Sequence, residues 1–353
     1  MQILVTGGLG FIGSNLVKYI LKNHPEYKVI NLDAVTYAGH FENLDEFTND
    51  ARYRFVKGRI ENAELVEEIV SGRKFGPVHG IINVAAETHV DRSITDPAVF
   101  VQSNVLGTQT LLEAAFKYGM GAKANAKSAI RFLQVSTDEV YGSLGPTGYF
   151  TESTPLAPSS PYSSTKAGAD MLVHAYYHTY GLPTIITRCS NNYGPFQHPE
   201  KLIPLFISNI MQNKQVPVYG DGLNVRDWLH VEDHCQAIDL AFHNGMAGEV
   251  YNIGGNNERT NMTITKLILK ELGKGEELIK YVEDRLGHDK RYAIDSTKLQ
   301  NELGWKPKYT FETGIHETIE WYKNNQTWLH SVLKHSEAGT EPVVKAPVSA
   351  LAN

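Results

Sequence analysis

Ile3-Leu4-Val5-Thr6-Gly7-Gly8-Leu9-Gly10-Phe11-Ile12-Gly13 opens the chain, and its reading decides the fold. A short β-branched run meets a glycine-rich turn, which leads straight into a segment with helical apolar spacing over 11–21. Glycines at 7, 10 and 13 let a backbone turn tightly and approach a pyrophosphate lying at a helix N-terminus. The spacing is G-x-x-G-x-x-G, not the commoner G-x-G-x-x-G, so its weight comes from context. It follows the first strand directly, and an acid, Asp33, closes the second strand 20 residues beyond Gly13. A carboxylate at that offset holds an adenosine ribose and repels a 2′-phosphate. No Arg or Lys follows until Arg52, so NAD is expected in preference to NADP. The plainer alternative is an aspartate that caps a turn.

Strands and helices then alternate. Residues 3–6, 28–32, 53–56, 80–84, 130–135 and 183–188 read as strands; 11–21, 63–70, 99–118 and 163–180 read as helices. That alternation predicts an α/β fold, a doubly wound parallel sheet of Rossmann-like type covered on both faces. After Arg188 the segments shorten. Residues 191–199 are rich in turn formers, 202–212 and 263–272 read as helices, Gly220-Asp221-Gly222 as a tight turn and 249–253 as a strand. The expected organisation is an NAD-binding domain over 1–190, with a returning segment near 224–255. A smaller C-terminal α+β substrate domain is expected over 191–325, a surface loop over 119–128 and a mobile tail over 335–353.

With 353 residues the chain has room for about two domains and a substantial core. A net charge of −6 gives no reason to expect nucleic acid or an anionic membrane as partner. Cys189 and Cys235 lack C-x-x-C spacing and read as reduced, buried thiols. Without a basic leader or an apolar run of about 20 residues, the expectation is a soluble, cytoplasmic protein.

The chemistry is carried by Ser136-Thr137-Asp138-Glu139, which follows the apolar run 130–135, and by Tyr162-x-x-x-Lys166. Four polar residues closing a buried strand make poor core. They stand at the carboxyl end of a strand, where open α/β sheets carry ligands. On a helix opening near Ser163, Tyr162 and Lys166 share a face. A neighbouring ammonium favours phenolate, so the tyrosine pKa is expected below about 10, ready to take a proton from an alcohol. The plain alternatives are a solvated turn for the two acids and a chance pair on a helix face. His230 and His234 are four apart but lack the H-E-x-x-H order, and no metal is expected.

The glycine turn, Asp33, Asn83-x-Ala85-Ala86-Glu87 and Tyr162-x-x-x-Lys166 together resemble the extended short-chain dehydrogenase/reductases that act on nucleotide sugars. Thr137-Asp138-Glu139 is similar to the triplet of the dTDP-glucose 4,6-dehydratases in that family. The likeness continues through 85–94, 189–195, 200–204, 226–234, 251–255, 284–289 and 303–307, and so covers about residues 1–325.

The resemblance implies a nucleotide-sugar substrate, NAD and a homodimer joined through the helices near 99–118 and 163–180. Tyr162 would take the 4-hydroxyl proton as NAD takes the C4 hydride, with Thr137 bonded near that oxygen. Glu139 would then abstract the C5 proton, and protonated Asp138 would expel the 6-hydroxyl as water. Hydride return to C6 gives dTDP-4-keto-6-deoxyglucose. Lys166 completes the catalytic set.

The resemblance further implies that Gly7, Gly10, Phe11, Ile12, Gly13, Asp33, Ala34, Val35, Thr36, Arg59, Ile60, Ala85, Ala86, Glu87, Tyr162, Lys166 and Asn192 hold the cofactor. His89, Thr137, Asn191, Lys201, Leu202, Pro217, Val218, Tyr219, Arg226, Asn261, Arg285 and His288 would line the sugar-nucleotide pocket. Two positions depart from the family. Arg59 stands where an Asp meets the adenine amino group, and an arginine cannot accept that bond. Leu286 replaces a proline. The alternatives are UDP-glucose as substrate, a 4-epimerase, a UDP-glucuronate decarboxylase, and a non-catalytic NAD-sensing protein. The acid pair argues against the epimerase and the decarboxylase. The presence of Tyr162, Lys166 and the triplet argues against the NAD sensor.

Overall fold

The computed structural model describes residues 1–120, 129–284 and 288–338, with side chains as far as 334. Most of the loop expected over 119–128 lies outside the described residues, as do Arg285, Leu286 and 339–353.

Strand β1 (Gln2–Thr6) leads through the glycine turn into α1 (Phe11–Asn23) and β2 (Lys28–Asp33). Then come β3 (Tyr53–Lys57), α2 (Ala63–Val70) and β4 (Gly80–Asn83). Two short helices, α3 (Val90–Thr95) and α4 (Pro97–Phe100), pass through a π-helical turn, Val101–Leu106, into α5 (Gly107–Gly119). β5 (Arg131–Thr137), α6 (Pro161–Tyr180) and β6 (Thr184–Cys189) follow. The chain continues through β7 (Asn191–Tyr193), α7 (Leu202–Met211), β8 (Val216–Tyr219), β9 (Val225–His230), α8 (Val231–Asn244) and β10 (Val250–Ile253). Among the described residues β11 (Glu258–Thr260), α9 (Asn261–Glu271), β12 (Ile279–Val282), α10 (Thr297–Leu303), α11 (Phe311–Asn324) and α12 (Gln326–Ala338) come last. The last helix takes in residues 335–338 of the segment expected to be tail.

Seven parallel strands form the main sheet in the order β10-β6-β5-β4-β1-β2-β3. Alternation along each strand feeds two cores. Ile3 and Val5 pack with Leu16, Val17 and Ile20 of α1 and with Ile238, Ala241 and Phe242 of α8. Leu4, Ile30 and Leu32 turn to the other face, against Val66, Ile69, Leu111, Leu112 and Val173. Both faces being buried explains why the strands read as near-continuous apolar runs. Strand order reverses between β4 and β2 on either side of β1, and their carboxyl ends open a crevice there.

A third core joins Ile203, Phe206 and Ile207 of α7, Val216 and Val218 of β8, Ile264 and Ile268 of α9, and the aromatic residues Phe311 and Trp328. Two small sheets, β11-β9-β7 and β12-β8, accompany it.

The helix expected over 99–118 is unbroken, but it is not α-helical throughout. Asn104, 1 % exposed, turns inward, bonding Glu87 through its backbone N–H (2.9 Å) and carbonyl (3.1 Å) and the Thr165 hydroxyl (3.0 Å). The widened π turn over Val101–Leu106 accommodates that side chain, and spacing alone cannot reveal it.

One buried ion pair ties β6 to α6. Arg188 Nε donates to Asp170 Oδ2 at 2.9 Å, with both side chains almost wholly enclosed. Arg188 Nη1 donates to the Tyr141 hydroxyl at 2.9 Å, which donates to Asn252 Oδ1 at 2.8 Å. The network fixes the 3-10 turn Asp138–Tyr141 and α6 against the sheet. Asp170→Ala strands a buried guanidinium and should cost about 3–5 kcal/mol, read as a lower denaturant midpoint. A loss under 1 kcal/mol would refute this role for the pair.

Candidate active site

The glycine turn is fixed by close approach and by hydrogen bonds. A Cβ on Gly13 would stand 2.0 Å from the Gly7 carbonyl oxygen, and one on Gly7 (φ +67°) 2.7 Å from Ala85 Cα. Leu9 N–H donates to Asp33 Oδ2 at 2.9 Å and Gly8 N–H to Asn31 Oδ1 at 3.0 Å. Asp33 Oδ1 accepts from Val35 N–H at 2.7 Å. Asp33 therefore caps the turn as well as ending β2. Burial raises its pKa, and the two N–H bonds offset only part of that. The Leu9 carbonyl accepts from Asn43 Nδ2 at 2.8 Å and His40 N–H at 3.1 Å. Trp328 Nε1 of α12 donates in turn to Asn43 Oδ1 at 2.7 Å.

A cleft of about 300 Å³ opens at the carboxyl ends of the sheet. Gly7, Gly10, Phe11, Ile12, Gly13, Asp33, Ala34, Thr36, Arg59, Ile60, Ala85, Ala86, Glu87 and Asn192 line it, together with Thr137, Asp138, Glu139, Tyr162 and Lys166. Val35 is not in the lining; its backbone (φ +55°) turns there to reach Asp33. The glycine cradle, a carboxylate at the end of β2 and buried polar atoms without partners fit a dinucleotide. Among the described residues those atoms include Ser136 Oγ, Asn191 Oδ1 and Glu61 Oε2.

The polar quartet divides at the strand end. Ser136 and Thr137 close β5, while Asp138 and Glu139 begin the 3-10 turn. Thr137 Oγ1 accepts from Glu139 N–H at 3.2 Å and donates to Asp138 Oδ1 at 3.3 Å. Asp138 is 2 % exposed and its Oδ2 has no partner among the described residues, whereas Glu139 is only half-buried. Burial, then the Glu139 and Asp227 charges, drive the Asp138 pKa well up, against the pull of Arg226 and Thr137. Its enclosure thus favours the neutral acid over the carboxylate.

Helix α6 starts at Pro161, two residues earlier than expected, because Ser160 and Ser163 form a reciprocal cap. This places Tyr162 in the first turn and Lys166 one turn on. The expected drop in the tyrosine pKa is absent. Burial raises it well above 10, and the Glu139, Cys189 and Asp138 charges add to the rise; the Thr137 hydroxyl acts the other way. The Lys166 ammonium instead donates to the Val135 carbonyl at 2.8 Å, and burial lowers its own pKa.

The residues expected around the sugar nucleotide divide in two. Thr137, Asn191 and Lys201 line the cleft. His89 borders it through Glu200 Oε2 at 3.7 Å, and Leu202 starts α7. Pro217, Val218 and Tyr219 lie on β8, and Asn261 opens α9, away from this lining. His288 Nδ1 meets Asp284 Oδ1 at 2.5 Å. Arg226 is buried, donating to the Val225 and Asp289 carbonyls at 2.8 and 2.9 Å. Arg285 lies outside the described residues.

Glu61, Ser103, Gln197, His198 and Glu200 line the cleft although spacing gave no sign of them. Glu200 lies within 3.9 Å of His198 and Lys201 and accepts from the Tyr37 hydroxyl at 3.1 Å. His230 caps α8 by accepting from Glu232 N–H at 3.4 Å, and buried His234 pairs with Asn192 at 2.8 Å. Burial pushes them down to about 4 and about 3. The group His24, Asp239 and His243 lies elsewhere, and both His243 ring nitrogens are engaged, by the Asp239 carbonyl and the Tyr27 hydroxyl.

The family model described as GDP-mannose 4,6 dehydratase matches residues 4–318. The dTDP-glucose 4,6-dehydratase of Xanthomonas campestris pv. campestris (strain B100) is 51% identical over 342 residues, 94% of this chain and 96% of the relative. The crystal structure of dTDP-glucose 4,6-dehydratase from Bacillus anthracis str. Ames in complex with NAD is 55% identical, with a TM-score of 0.85, covering 94% of this chain and 99% of that one. The Streptomyces venezuelae enzyme DesIV, solved with NAD and TYD bound, is 47% identical with a TM-score of 0.88, covering 94% and 100%. Fold, cleft and likeness over nearly the whole chain agree, and the chain belongs to the GDP-mannose 4,6 dehydratase family, in its dTDP-glucose 4,6-dehydratase branch.

Proposed function

We propose that this protein converts dTDP-glucose to dTDP-4-keto-6-deoxyglucose with NAD, by C4 oxidation, loss of water across C5 and C6, and reduction at C6. The observation that carries the reading is the unequal acid pair: Asp138 enclosed, with Oδ2 unpartnered among the described residues, and Glu139 beside it, half-buried in the same cleft as Tyr162. NAD, when bound, supplies the hydride acceptor and a positive ring charge. Tyr162 takes the proton of the 4-hydroxyl. Its phenol is held up by burial and two acids, so it needs a cation in the cleft before it can release its own proton. Thr137 donates to the sugar oxygen at that carbon. The ketone so formed acidifies C5–H, and Glu139 removes that proton. Asp138, whose enclosure favours its protonated form, gives its proton to the departing 6-hydroxyl and water leaves; Glu139 then returns a proton to C5 as C6 is reduced. Lys166, anchored to the Val135 carbonyl, stands one turn past Tyr162 on α6.

Asp33 takes the adenosine ribose and the glycine cradle the pyrophosphate. The segments around Lys201, β8 and His288 hold the nucleotide diphosphate. The chain then divides into an NAD-binding domain over 1–190, with β10 returning to its sheet, and a sugar-nucleotide domain centred on 191–325. Cys189 and Cys235 are buried free thiols, which suits the reducing cytoplasm. Among the described residues no helix is long and apolar enough to cross a membrane. A homodimer joins through helices α5 and α6, whose surroundings expose Val101 (51 %), Leu106 (47 %) and Met171 (59 %).

Two outcomes are expected with substrate. Turnover of dTDP-glucose in D2O should give a 4-keto-6-deoxy product carrying deuterium at C5. UDP-glucose, lacking one methyl, should be about 10-fold or more poorer in kcat/KM. Unchanged sugar with every nucleotide tried would overturn the enzyme reading.

Asp138→Asn should stop water loss while permitting oxidation at C4, so NADH absorbance accumulates; wild-type turnover would remove Asp138 as the acid. The raised pKa of Asp138 also means its proton stabilises the fold at low pH, a contribution lost as pH climbs through the raised value. The melting temperature of the Asn variant should therefore fall less with rising pH than that of the wild type.

Light scattering should give twice the 39.3 kDa chain mass, and Val101→Glu with Met171→Glu should halve it. A wild type found only as monomer would contradict the dimer.

A further inference from the structure

Segment 58–61 runs beside the ribose end of the cleft. It follows β3, the strand paired with β2, and Gly58 N–H donates to the Asp33 carbonyl at 2.9 Å. Arg59 and Ile60 face the cleft, and so does Glu61. The Glu61 side chain is 10 % exposed. Its Oε1 lies 3.3 Å from Arg59 Nη1, while Oε2 is buried with no hydrogen-bond partner among the described residues. Ile60 is locked beneath Gly107, where a Cβ would meet its Cγ1 at 2.5 Å, so the backbone carrying Glu61 is fixed.

A buried carboxylate oxygen without a donor is costly, and a ligand that brings a donor removes that cost. Past the adenosine ribose, the next part of NAD is adenine, whose exocyclic 6-amino group is a donor. We propose that Glu61 Oε2 accepts the hydrogen bond from that amino group, while Oε1 stays on the Arg59 guanidinium. The assignment rests on the NAD reading and adds a base-selecting residue to it. Arg59 can only donate, so the acceptor for this edge moves two residues along, to Glu61. Hypoxanthine carries an oxygen where adenine carries the amino group, which would set acceptor against acceptor.

The test compares NAD with nicotinamide hypoxanthine dinucleotide, by calorimetric titration of protein stripped of cofactor. The wild type should bind NAD about tenfold or more tightly than the hypoxanthine form. In Glu61→Leu the ratio should collapse towards one, mainly through weaker NAD binding. Glu61→Gln keeps a carbonyl acceptor and should retain part of the preference. Equal binding of the two dinucleotides by the wild type overturns the assignment whether or not the variants fold. So does a Leu variant with the wild-type ratio. If the stripped wild type binds neither dinucleotide, the NAD reading fails, and this assignment fails with it.

Discussion

Everything at the cofactor end depends on how closely the backbone at Gly13 lies against the Gly7 carbonyl. A methyl group at position 13 would sit at 2.0 Å, well inside contact distance, so the turn exists only while that hydrogen remains a hydrogen. The approach brings α1 up to the end of β1 and leaves its first N–H groups facing the crevice. It would be a floppy turn if glycine alone shaped it. Asp33 and Asn31 hold its amides, and Asn43 and His40 hold the Leu9 carbonyl, so the residues that could wander are fixed from both sides.

The catalytic end is organised by withholding compensation. Asp138, Tyr162 and Lys166 are all enclosed, yet the ammonium goes to a backbone carbonyl and leaves the phenol unrelieved. Burial favours the protonated forms of Asp138 and Tyr162 and lowers the pKa of Lys166. These three groups and the half-buried carboxyl of Glu139 share one cleft. A site in this condition gains most from a ligand that brings positive charge, because each buried acidic group responds to it.

Much of this was legible in the order of residues. The glycine turn, the acid closing β2 and the two acids after β5 are local patterns, and parallel strands buried on both faces announce themselves as apolar runs. What could not be read is long-range. The π turn exists because Asn104 reaches Glu87 and Thr165, which are 17 and 61 residues away. The Tyr162 environment depends on where Lys166 points, and helical spacing gives the face without the partner. Glu61 and Glu200 look like surface acids until the fold encloses them.

The same long-range logic joins the third core to the glycine turn. Trp328 belongs to the third core, with Phe311 and the buried face of α7, yet its indole N–H ends on Asn43. Asn43 is wholly buried and passes the restraint on to the Leu9 carbonyl through its amide N–H. Ser331 Oγ adds a bond to Glu42 Oε1 at 3.0 Å on the same helix face. The amide of Asn43 thus accepts from α12 and donates to the glycine turn, an arrangement an aspartate could not reproduce, since a carboxylate has no N–H to give. The glycine turn is therefore held in shape partly by Trp328, far downstream on α12, the last helix among the described residues.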